Sequence, residues 1–386
     1  MSDASPPVRG FLEAEYQNRT ALAQSHMRKH GLSALLLTTE PEVRYYTGFL
    51  TRFWESPTRP WFLIVPSSGK PVAVIPSIGH NLMAQSWLDD IRTWDAPDYD
   101  DDGVSLLVDT LSSLCDPGSL VGMAHGRETH ARMPLGSLDA VKAALQQRSI
   151  VHDHGITANL RMVKSDAEIA KISHCVDIAS RAFDRVFEIA TAGTPLSTVF
   201  RAFQSLCLNE GADAVSYLAG AAEHGGYGDV ISPATDAPLT PGDVLMLDTG
   251  AVWDGYFCDF DRNYSVGPPS PAVTDAHARL VDATEVGLKA ARPGATFADL
   301  HKAMSDVLGS RLNAGRLGHG LGMELTEGPS ILPVDETVLQ PGMVITLEPC
   351  IEMGGGKIMV HEENVVIEAQ GPRFLSSPAP ADIRVL

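Results

Sequence analysis

The sequence predicts a two-domain α/β protein whose second domain is a duplicated helix-helix-strand-strand unit. At 386 residues the chain is too long for one ordinary hydrophobic core. Helix and strand patterns are mixed through the first part. In the second part the segment Pro241–Asp248 returns one hundred positions later as Pro341–Glu348. Each copy is a Pro-Gly turn, an aliphatic run and then a carboxylate, which indicates a repeated strand that ends in an acid.

The first domain is expected over residues 1–155. The two strands at its centre are separated only by Ser67-Ser68-Gly69, the spacing of a hairpin. The helical patterns cover 11–30, 79–87 and 134–147, and the strand patterns cover 33–39, 60–66, 70–76 and 120–125.

The second domain is expected over residues 156–386. Ser165 and Glu168 form a capping box, in which each side chain satisfies a free backbone N–H of the first helical turn. Pro-containing stops follow the first helix of each pair, and each pair precedes one copy of the repeated strand. The predicted helices cover 165–190, 196–209, 273–291 and 297–313.

Composition excludes several classes of function. A net charge of −19 argues against nucleic-acid or anionic-membrane partners, which require basic surfaces. The five cysteines are widely spread and lack a C-x-x-C pair, so neither a disulfide framework nor a thiolate zinc site is expected. No signal-peptide pattern or membrane-length apolar run is present, and a cytoplasmic location is the expectation.

The carboxylates at the strand ends predict a metal site. An Asp-Gly turn after the first copy places Asp248 opposite Asp259, or one register step away. Folding the second copy symmetrically about its three-glycine run places Glu348 across from Glu363. Carboxylates crowded at the edge of a core repel one another and lose hydration, and bound divalent cations are the usual compensation.

A histidine completes the predicted ligand set. His319 lies between the two halves and is flanked by glycines that allow close backbone approach. Oxygen and imidazole ligands suit a pair of divalent ions such as Mn²⁺, Co²⁺, Zn²⁺ or Fe²⁺. The expected ligands are Asp248, Asp259, His319, Glu348 and Glu363.

These motifs resemble those of the creatinase/aminopeptidase P family, the "pita-bread" metallopeptidases (family M24) that include Xaa-Pro dipeptidases and methionine aminopeptidases. The first domain resembles that family's N-terminal domain at Val43–Phe49, and Leu160–Glu168 resembles its domain junction. The metal-site resemblance is carried by Asp248–Gly250, Gly255–Arg262, Gly318–Gly320, Leu347–Pro349 and Glu363–Val366.

The resemblance implies a dinuclear hydrolase that cleaves a C–N bond in an Xaa-Pro-like peptide, and a homodimer. It implies that Asp259 and Glu363 bridge the ions, that His319 and Glu348 hold one ion, and that Asp248 holds the other. Glu348 would also take a proton from the attacking water and deliver it to the leaving nitrogen.

The chain departs from the family pattern around the metal ligands. Two histidines that contact the substrate in family peptidases are replaced by Thr326 and Ile231, and a frequent arginine is replaced by His361. Losing such donors removes stabilisation of charge in the transition state. His361 is therefore a candidate catalytic residue. The candidate substrate-binding residues are His224, Tyr227, Thr326 and Trp54.

Two alternatives stay open. The same metal site could act on a non-peptide amide or a similar small metabolite, by hydrolysis or elimination, because the histidine positions are altered. The chain could also be an inactive relative used as a binding module, although such relatives commonly lose metal ligands and all five expected ligands are present here.

Overall fold

The computed structural model describes residues 5–56, 59–312 and 315–386, and it confirms the predicted mixed α/β class. The chain folds into two compact units, of which one comprises residues 8–161 and the other contains residues 162–386. The domain limits expected from the sequence, 1–155 and 156–386, stay a prediction.

The first unit is built on one six-stranded sheet. The sequence patterns identify its four inner strands, but they miss the helices Glu40–Thr47, Val104–Leu114 and Ile156–Met162 and the edge strands Asp90–Trp94 and Ser149–His152. The helices are α1 (Glu13–His30), α2 (Glu40–Thr47), α3 (His80–Met83), α4 (Val104–Leu114), α5 (Leu135–Ala144) and α6 (Ile156–Met162). The strands are β1 (Leu32–Leu37), β2 (Phe62–Pro66), β3 (Val72–Pro76), β4 (Asp90–Trp94), β5 (Leu120–Met123) and β6 (Ser149–His152).

The strand order of this sheet is β4-β3-β2-β1-β5-β6. β1 pairs antiparallel with β2 and parallel with β5, so the sheet is mixed. Strands β2 and β3 are buried along their whole length, which explains why their sequences are continuous apolar runs without alternation. One face packs on α4 and α5 through side chains such as Leu36, Ile64 and Leu107.

The second unit has the predicted pair of helix-helix-strand-strand halves. The helices are α7 (Asp166–Phe183), α8 (Leu196–Asn209), α9 (Pro271–Ala290) and α10 (Phe297–Leu308). The strands of the first half are β7 (Ala214–His224), β8 (Asp243–Trp253), β9 (Tyr256–Phe257) and β10 (Phe260–Ser265). Those that follow are β11 (His319–Gly320), β12 (Glu327–Ser330), β13 (Val344–Leu347), β14 (Cys350–Gly354), β15 (Lys357–Val360), β16 (Glu363–Glu368), β17 (Gly371–Phe374) and β18 (Arg384–Val385). The helix end expected at Asn313 lies outside the described residues.

The two halves repeat the same backbone geometry where each repeated strand begins. Gly242 and Gly342 both have φ of 94°, a left-handed conformation that glycine adopts without steric cost. The N–H of Gly242 donates to Val266 O at 2.8 Å, and that of Gly342 donates to Ile367 O at 2.8 Å. The sequence repeat is therefore a structural repeat, in which a Pro-Gly turn starts β8 and β13 against equivalent return strands.

The repeated strands lie inside two sheets. The orders are β18-β10-β8-β7, with β9 on β8, and β12-β11-β13-β16-β17. β13 and β16 pack on α9 and α10 in one apolar cluster that includes Ile345, Leu280 and Phe297. Asp248 lies within β8 and Glu348 directly follows β13, so packing of the aliphatic run fixes where each acid emerges. Within the described ranges, no helix is both long enough and apolar enough to cross a membrane.

Replacing Gly318 by alanine is expected to destabilise the protein by about 1–3 kcal/mol, the usual cost of overpacking. Gly318 has φ of 136°, and an added Cβ would overlap the carbonyl oxygen of Thr346. Chemical denaturation measures the effect. Gly315→Ala is the matched control, because no described atom outside its chain neighbours lies within 4 Å of a Cβ added there. Equal stability of the two variants would contradict the prediction.

Candidate metal centre

The first hairpin brings Asp248, Asp259 and Asp261 to one face. Asp254 and Gly255 both have positive φ, as a two-residue hairpin turn of type I′ requires. The ladder pairs Asp248 directly with Asp261, and Asp259 lies two residues earlier on the return strand. Because side chains alternate along a strand, Asp259 and Asp261 share a face. Asp248 and Asp259 are therefore on one face but two residues out of register, so neither expected arrangement, directly opposite or one register step apart, is the observed one.

The second hairpin brings Glu362, rather than Glu363, to the site. At its tip Gly354 pairs with Lys357, which is the symmetric fold that the sequence suggests. A register irregularity between Glu352 and Gly354 then shifts the ladder by one residue, so that Leu347 pairs with Glu363. This register carries Glu348 opposite Glu362. A slip of one residue moves every side chain to the other face, and Glu363 consequently points away.

His319 joins Asp259 and Glu362 in a compact buried group. Its Nε2 lies 3.3 Å from Asp259 Oδ2 and 4.0 Å from Glu362 Oε1. One ligand atom from each of the three residues lies within 4.8 Å of the others. Its Nδ1 is 2.8 Å from the Gly320 carbonyl oxygen, which can only accept, so Nδ1 carries the proton. Nε2 is then the free lone pair, and it faces the carboxylates.

The electrostatics of His319 suit a metal ligand. Burial, then the positive charge of Arg316, lowers the pKa of His319 to about 4. The imidazole is therefore neutral at pH 7 even though it lies beside two carboxyl groups. A neutral imidazole whose second nitrogen is fixed by a carbonyl is the usual form in which histidine binds a metal.

The carboxyl groups raise one another's pKa. Burial, then Asp261 and Glu348, raises the pKa of Asp248 well above its ordinary value. Burial, then Asp248 and Glu348, does the same to the pKa of Asp259. The pKa of Glu362 is raised by burial and then by Asp259 and Glu348. These mutual effects show that the four carboxyl groups from the two hairpins share one electrostatic site.

Glu348 lies at the open side of this site. Its side chain is 28% exposed, and burial raises its pKa to about 7, with Arg316 opposing the rise and Asp261 adding to it. The nearest cation is Arg316, whose Nε is 3.7 Å from Glu348 Oε2, beyond hydrogen-bond distance.

The donor set fits divalent metal ions. Among the described residues, three of its carboxyl oxygens are buried without a hydrogen-bond partner: Asp248 Oδ1, Glu348 Oε2 and Glu362 Oε1. Buried oxygens without donors are costly, and crowded carboxylates with a neutral imidazole form a ligand set that binds Mn²⁺, Co²⁺, Zn²⁺ or Fe²⁺.

Glu363, expected as a ligand, lies instead in a satisfied polar layer behind the site. Its carboxylate accepts from Arg262 Nη2 at 2.9 Å and from the N–H of Ala379 at 2.8 Å, and it also accepts from Ser376 Oγ. Burial alone would raise its pKa, but Arg262 and the hydrogen bond from His361 outweigh burial and lower that pKa to about 2. Glu363 is thus a compensated anion.

His361, expected as a catalytic residue, belongs to the same layer. It is 1% exposed, with Nδ1 3.4 Å from Asp261 Oδ1 and Nε2 3.3 Å from Glu363 Oε1. Burial works against its charged form, yet hydrogen bonding to Asp261 and Glu363 raises the pKa of His361. The imidazole braces two acids from behind, which is a supporting position rather than one open to a substrate.

A substrate-binding role for Tyr227, His224, Thr326 and Trp54 stays a prediction. Tyr227 is buried, donating to Asn263 Oδ1 at 3.0 Å and accepting from Val360 N at 2.8 Å. His224 and Thr326 are exposed. Trp54 lies in the first unit, where it packs against Trp61 with ring centroids 5.6 Å apart.

Sequence reasoning missed three residues at the site. Glu362 was passed over because register, not composition, separates it from its neighbour. Tyr217 on β7 pairs with Gly250, and its hydrogen bond to Asp248 partly opposes the rise in that carboxyl pKa. Arg316, three residues before His319 in the same glycine-flanked segment, could have been found from that proximity.

The fold and this site together define a metal-dependent hydrolase. Residues 170–369 match the metallopeptidase family M24, and residues 19–163 match the creatinase/prolidase N-terminal domain. The chain belongs to metallopeptidase family M24.

Named relatives span almost the whole chain. A probable dipeptidase PepE of Mycobacterium tuberculosis is 27% identical over 375 residues, covering 94% of this chain and 95% of the relative. An Xaa-Pro dipeptidase of Pyrococcus horikoshii is 28% identical over 254 residues, covering 63% and 71%. The crystal structure of dipeptidase PepE from Mycobacterium ulcerans matches with a TM-score of 0.83 and 27% identity, covering 97% of this chain and 99% of that one.

Metal binding is expected to release protons. The pKa of Glu348 is raised to about 7, and those of Asp248, Asp259 and Glu362 are raised as well, so part of this group is protonated near neutral pH without an ion. Ions bind the deprotonated form, so affinity rises and proton release falls as pH increases from about 6 to 8. His319 contributes no proton, because its pKa is about 4. Titration calorimetry of Mn²⁺ in buffers of different ionisation enthalpy measures the release, and a buffer-independent enthalpy would contradict it.

Proposed function

We propose that the protein is a dinuclear metal-dependent peptidase that hydrolyses short Xaa-Pro-type peptides. The observation that carries this proposal is the group of four mutually perturbed carboxyls around a neutral His319 whose Nε2 faces them. Four carboxylates and one imidazole are more ligands than one divalent ion commonly takes from side chains when a water position is kept open. The set suits two ions.

The proposed ligands differ from the sequence expectation at one position. Glu362 takes the place expected for Glu363, since only Glu362 faces His319 and lacks a compensating cation. The ligands are then Asp248, Asp259, His319, Glu348 and Glu362.

When bound, the ions supply activation of a water molecule and polarisation of the scissile carbonyl. The chain supplies proton transfer and orientation. Asp248 and Glu348 are the two partly exposed acids of the set, and Glu348, whose pKa is raised to about 7, is the one suited to exchange a proton near neutral pH. We assign it the role of accepting a proton from the attacking water and delivering that proton to the leaving nitrogen. Asp261 lies on the ligand face and accepts from the N–H of Glu362, while His361 and Arg262 hold the ligand strands from behind.

The substrate assignment is supported by the relatives, which are described as dipeptidases and Xaa-Pro dipeptidases. Action on a non-peptide amide is the second candidate. It is favoured by positions 326 and 231, where the side chains that stand in for family histidines are exposed, Ile231 at 78%. An inactive binding module is disfavoured, because the buried donor set is complete. Homodimer assembly and a cytoplasmic location stay predictions from the sequence.

Chelation is expected to abolish hydrolysis of Xaa-Pro dipeptides, and added Mn²⁺ or Co²⁺ is expected to restore it. The test is a panel of Xaa-Pro dipeptides, N-acyl amides and cyclic amides given to protein whose metal content is measured by elemental analysis. Turnover of only the non-peptide amides would replace the first substrate class with the second. No turnover of any compound in the panel at full metal occupancy would overturn both substrate classes.

Glu362→Gln and Glu363→Gln form a matched pair of adjacent, equally conservative changes with opposite expected effects. Glu362→Gln removes a ligand and should lower bound metal and activity by more than the 10- to 100-fold typical of an outer-shell partner. It should also raise the melting temperature of the metal-free protein, because it removes one of the repelling charges.

Glu363→Gln is expected to destabilise the metal-free protein by about 3 kcal/mol, because it leaves Arg262 buried without its anion. Thermal melts in chelator and elemental analysis of both variants make the comparison. The reverse outcome, with metal lost in Glu363→Gln and kept in Glu362→Gln, would restore Glu363 as the ligand.

A further inference from the structure

Arg316 is fixed at the mouth of the metal centre by the backbone of the strands that carry the ligands. The next residue, Leu317, donates its N–H to Ile331 O at 3.0 Å and accepts from the N–H of Glu348 at 2.9 Å. These backbone hydrogen bonds hold the residue next to Arg316 against Glu348 and so place the guanidinium beside the Glu348 carboxyl group. Its side chain is 36% exposed, so one side of it is open to solvent.

The guanidinium of Arg316 forms an ion pair with Glu348 but no hydrogen bond to it. Its approach to Glu348, 3.7 Å from Nε to Oε2, is too long for a hydrogen bond. Within the described ranges it donates to no other group. A guanidinium offers five N–H donors in a planar fork that matches a carboxylate in bidentate fashion. Arg316 thus presents unused donors next to the group assigned to proton transfer.

Arg316 pairs with Glu348 at 3.7 Å, but bound metal ions would neutralise that carboxylate and leave the charge of Arg316 available to a substrate. Two divalent ions would carry four positive charges, equal to the four carboxylates of the proposed ligand set, and His319 is neutral. The other nearby acids have partners of their own: Asp261 lies 3.4 Å from His361 Nδ1 and accepts from the N–H of Glu362 at 2.7 Å. Glu363 pairs with Arg262 at 2.9 Å, and Glu327 pairs with Lys164 at 3.0 Å. The charge of Arg316 acts on Asp259, His319 and Glu348, so it lies within Coulombic reach of the reacting centre.

We propose that Arg316 is a specificity-determining residue that binds a free carboxylate of the substrate, and that the enzyme selects small substrates with this group, such as unmodified dipeptides, over their amides. This inference rests on the proposed function. The two positions where family peptidases carry histidines supply no second cation, because they hold Thr326 and Ile231, which are exposed and uncharged. Tyr217 is the neutral donor at the opposite, Asp248 side of the site.

The test compares alanyl-proline with alanyl-prolinamide in the Mn²⁺-loaded wild type, Arg316→Gln and Arg316→Lys. A charged hydrogen-bonded pair is worth roughly a factor of 10 to 100 in binding. We expect Arg316→Gln to lose about that factor in kcat/KM for the acid, chiefly through KM, and less than about twofold for the amide. Arg316→Lys should recover part of the loss. Arg311→Gln, which removes a guanidinium paired with Asp275, is the control expected to leave both values unchanged.

Equal losses for acid and amide, or a loss confined to kcat, would overturn the proposal and assign Arg316 to charge that develops during the reaction. Calorimetric binding of proline and prolinamide provides a readout that needs no turnover. Tighter binding of proline, lost in Arg316→Gln at unchanged metal content, supports the carboxylate site even if the wild type cleaves no peptide, which would reject only the proposed function. Equal binding of proline and prolinamide to the wild type would reject the carboxylate site itself.

Discussion

Repulsion among carboxylates that share one poorly hydrated space is the constraint on which the rest of this structure depends. Each repeated strand places an acid where its aliphatic run leaves the core, and each return strand adds another. The resulting mutual rise in pKa shows that the folded chain alone does not compensate these charges. A fold that holds such a group in place must obtain its compensation from outside, and bound cations are the available source.

In the polar layer behind the ligands, by contrast, groups of the protein itself compensate the buried charges. Glu363 is adjacent to Glu362 in sequence, yet one pKa falls to about 2 while the other rises. The difference comes from the side of the strand that each one faces, since Arg262 and His361 lie only behind it. The satisfied layer fixes the backbone, and the unsatisfied face is then left rigid and open for ions. Because hydrogen bonds hold the backbone in place from behind, the strands keep their positions despite the repulsion among the carboxylates on the other face.

Much of this arrangement could be predicted from the sequence. The repeat, the helix pairs, and the positions of Asp248, Asp259, His319 and Glu348 follow from spacing and turn chemistry. The fifth acid could not be assigned in this way. Symmetric folding about the glycine run is right at the tip, where Gly354 pairs with Lys357, and wrong beyond the irregularity that follows it. A one-residue bulge in a glycine-rich turn cannot be recognised from the amino-acid composition. The sequence therefore gives no sign that Glu362, rather than Glu363, faces the site. Tyr217 escapes for a similar reason, because strand pairing alone brings it to the site, whereas Arg316 could have been found from its proximity to His319.

The duplicated scaffold also separates what fixes the chemistry from what selects the substrate. The ligands lie on or next to paired strands, and the two repeated strands begin at glycines that have the same φ angle. The positions where family peptidases carry substrate-contacting histidines hold side chains that are exposed and have no tight packing role. Changes there cost little stability, whereas a change in register would move an acid out of the site. Selectivity in this chain therefore has to come from groups held by the same strand pairing as the ligands. Arg316 meets that condition. Its neighbour Leu317 is hydrogen-bonded through the backbone to Ile331 and Glu348, in the same segment that positions His319.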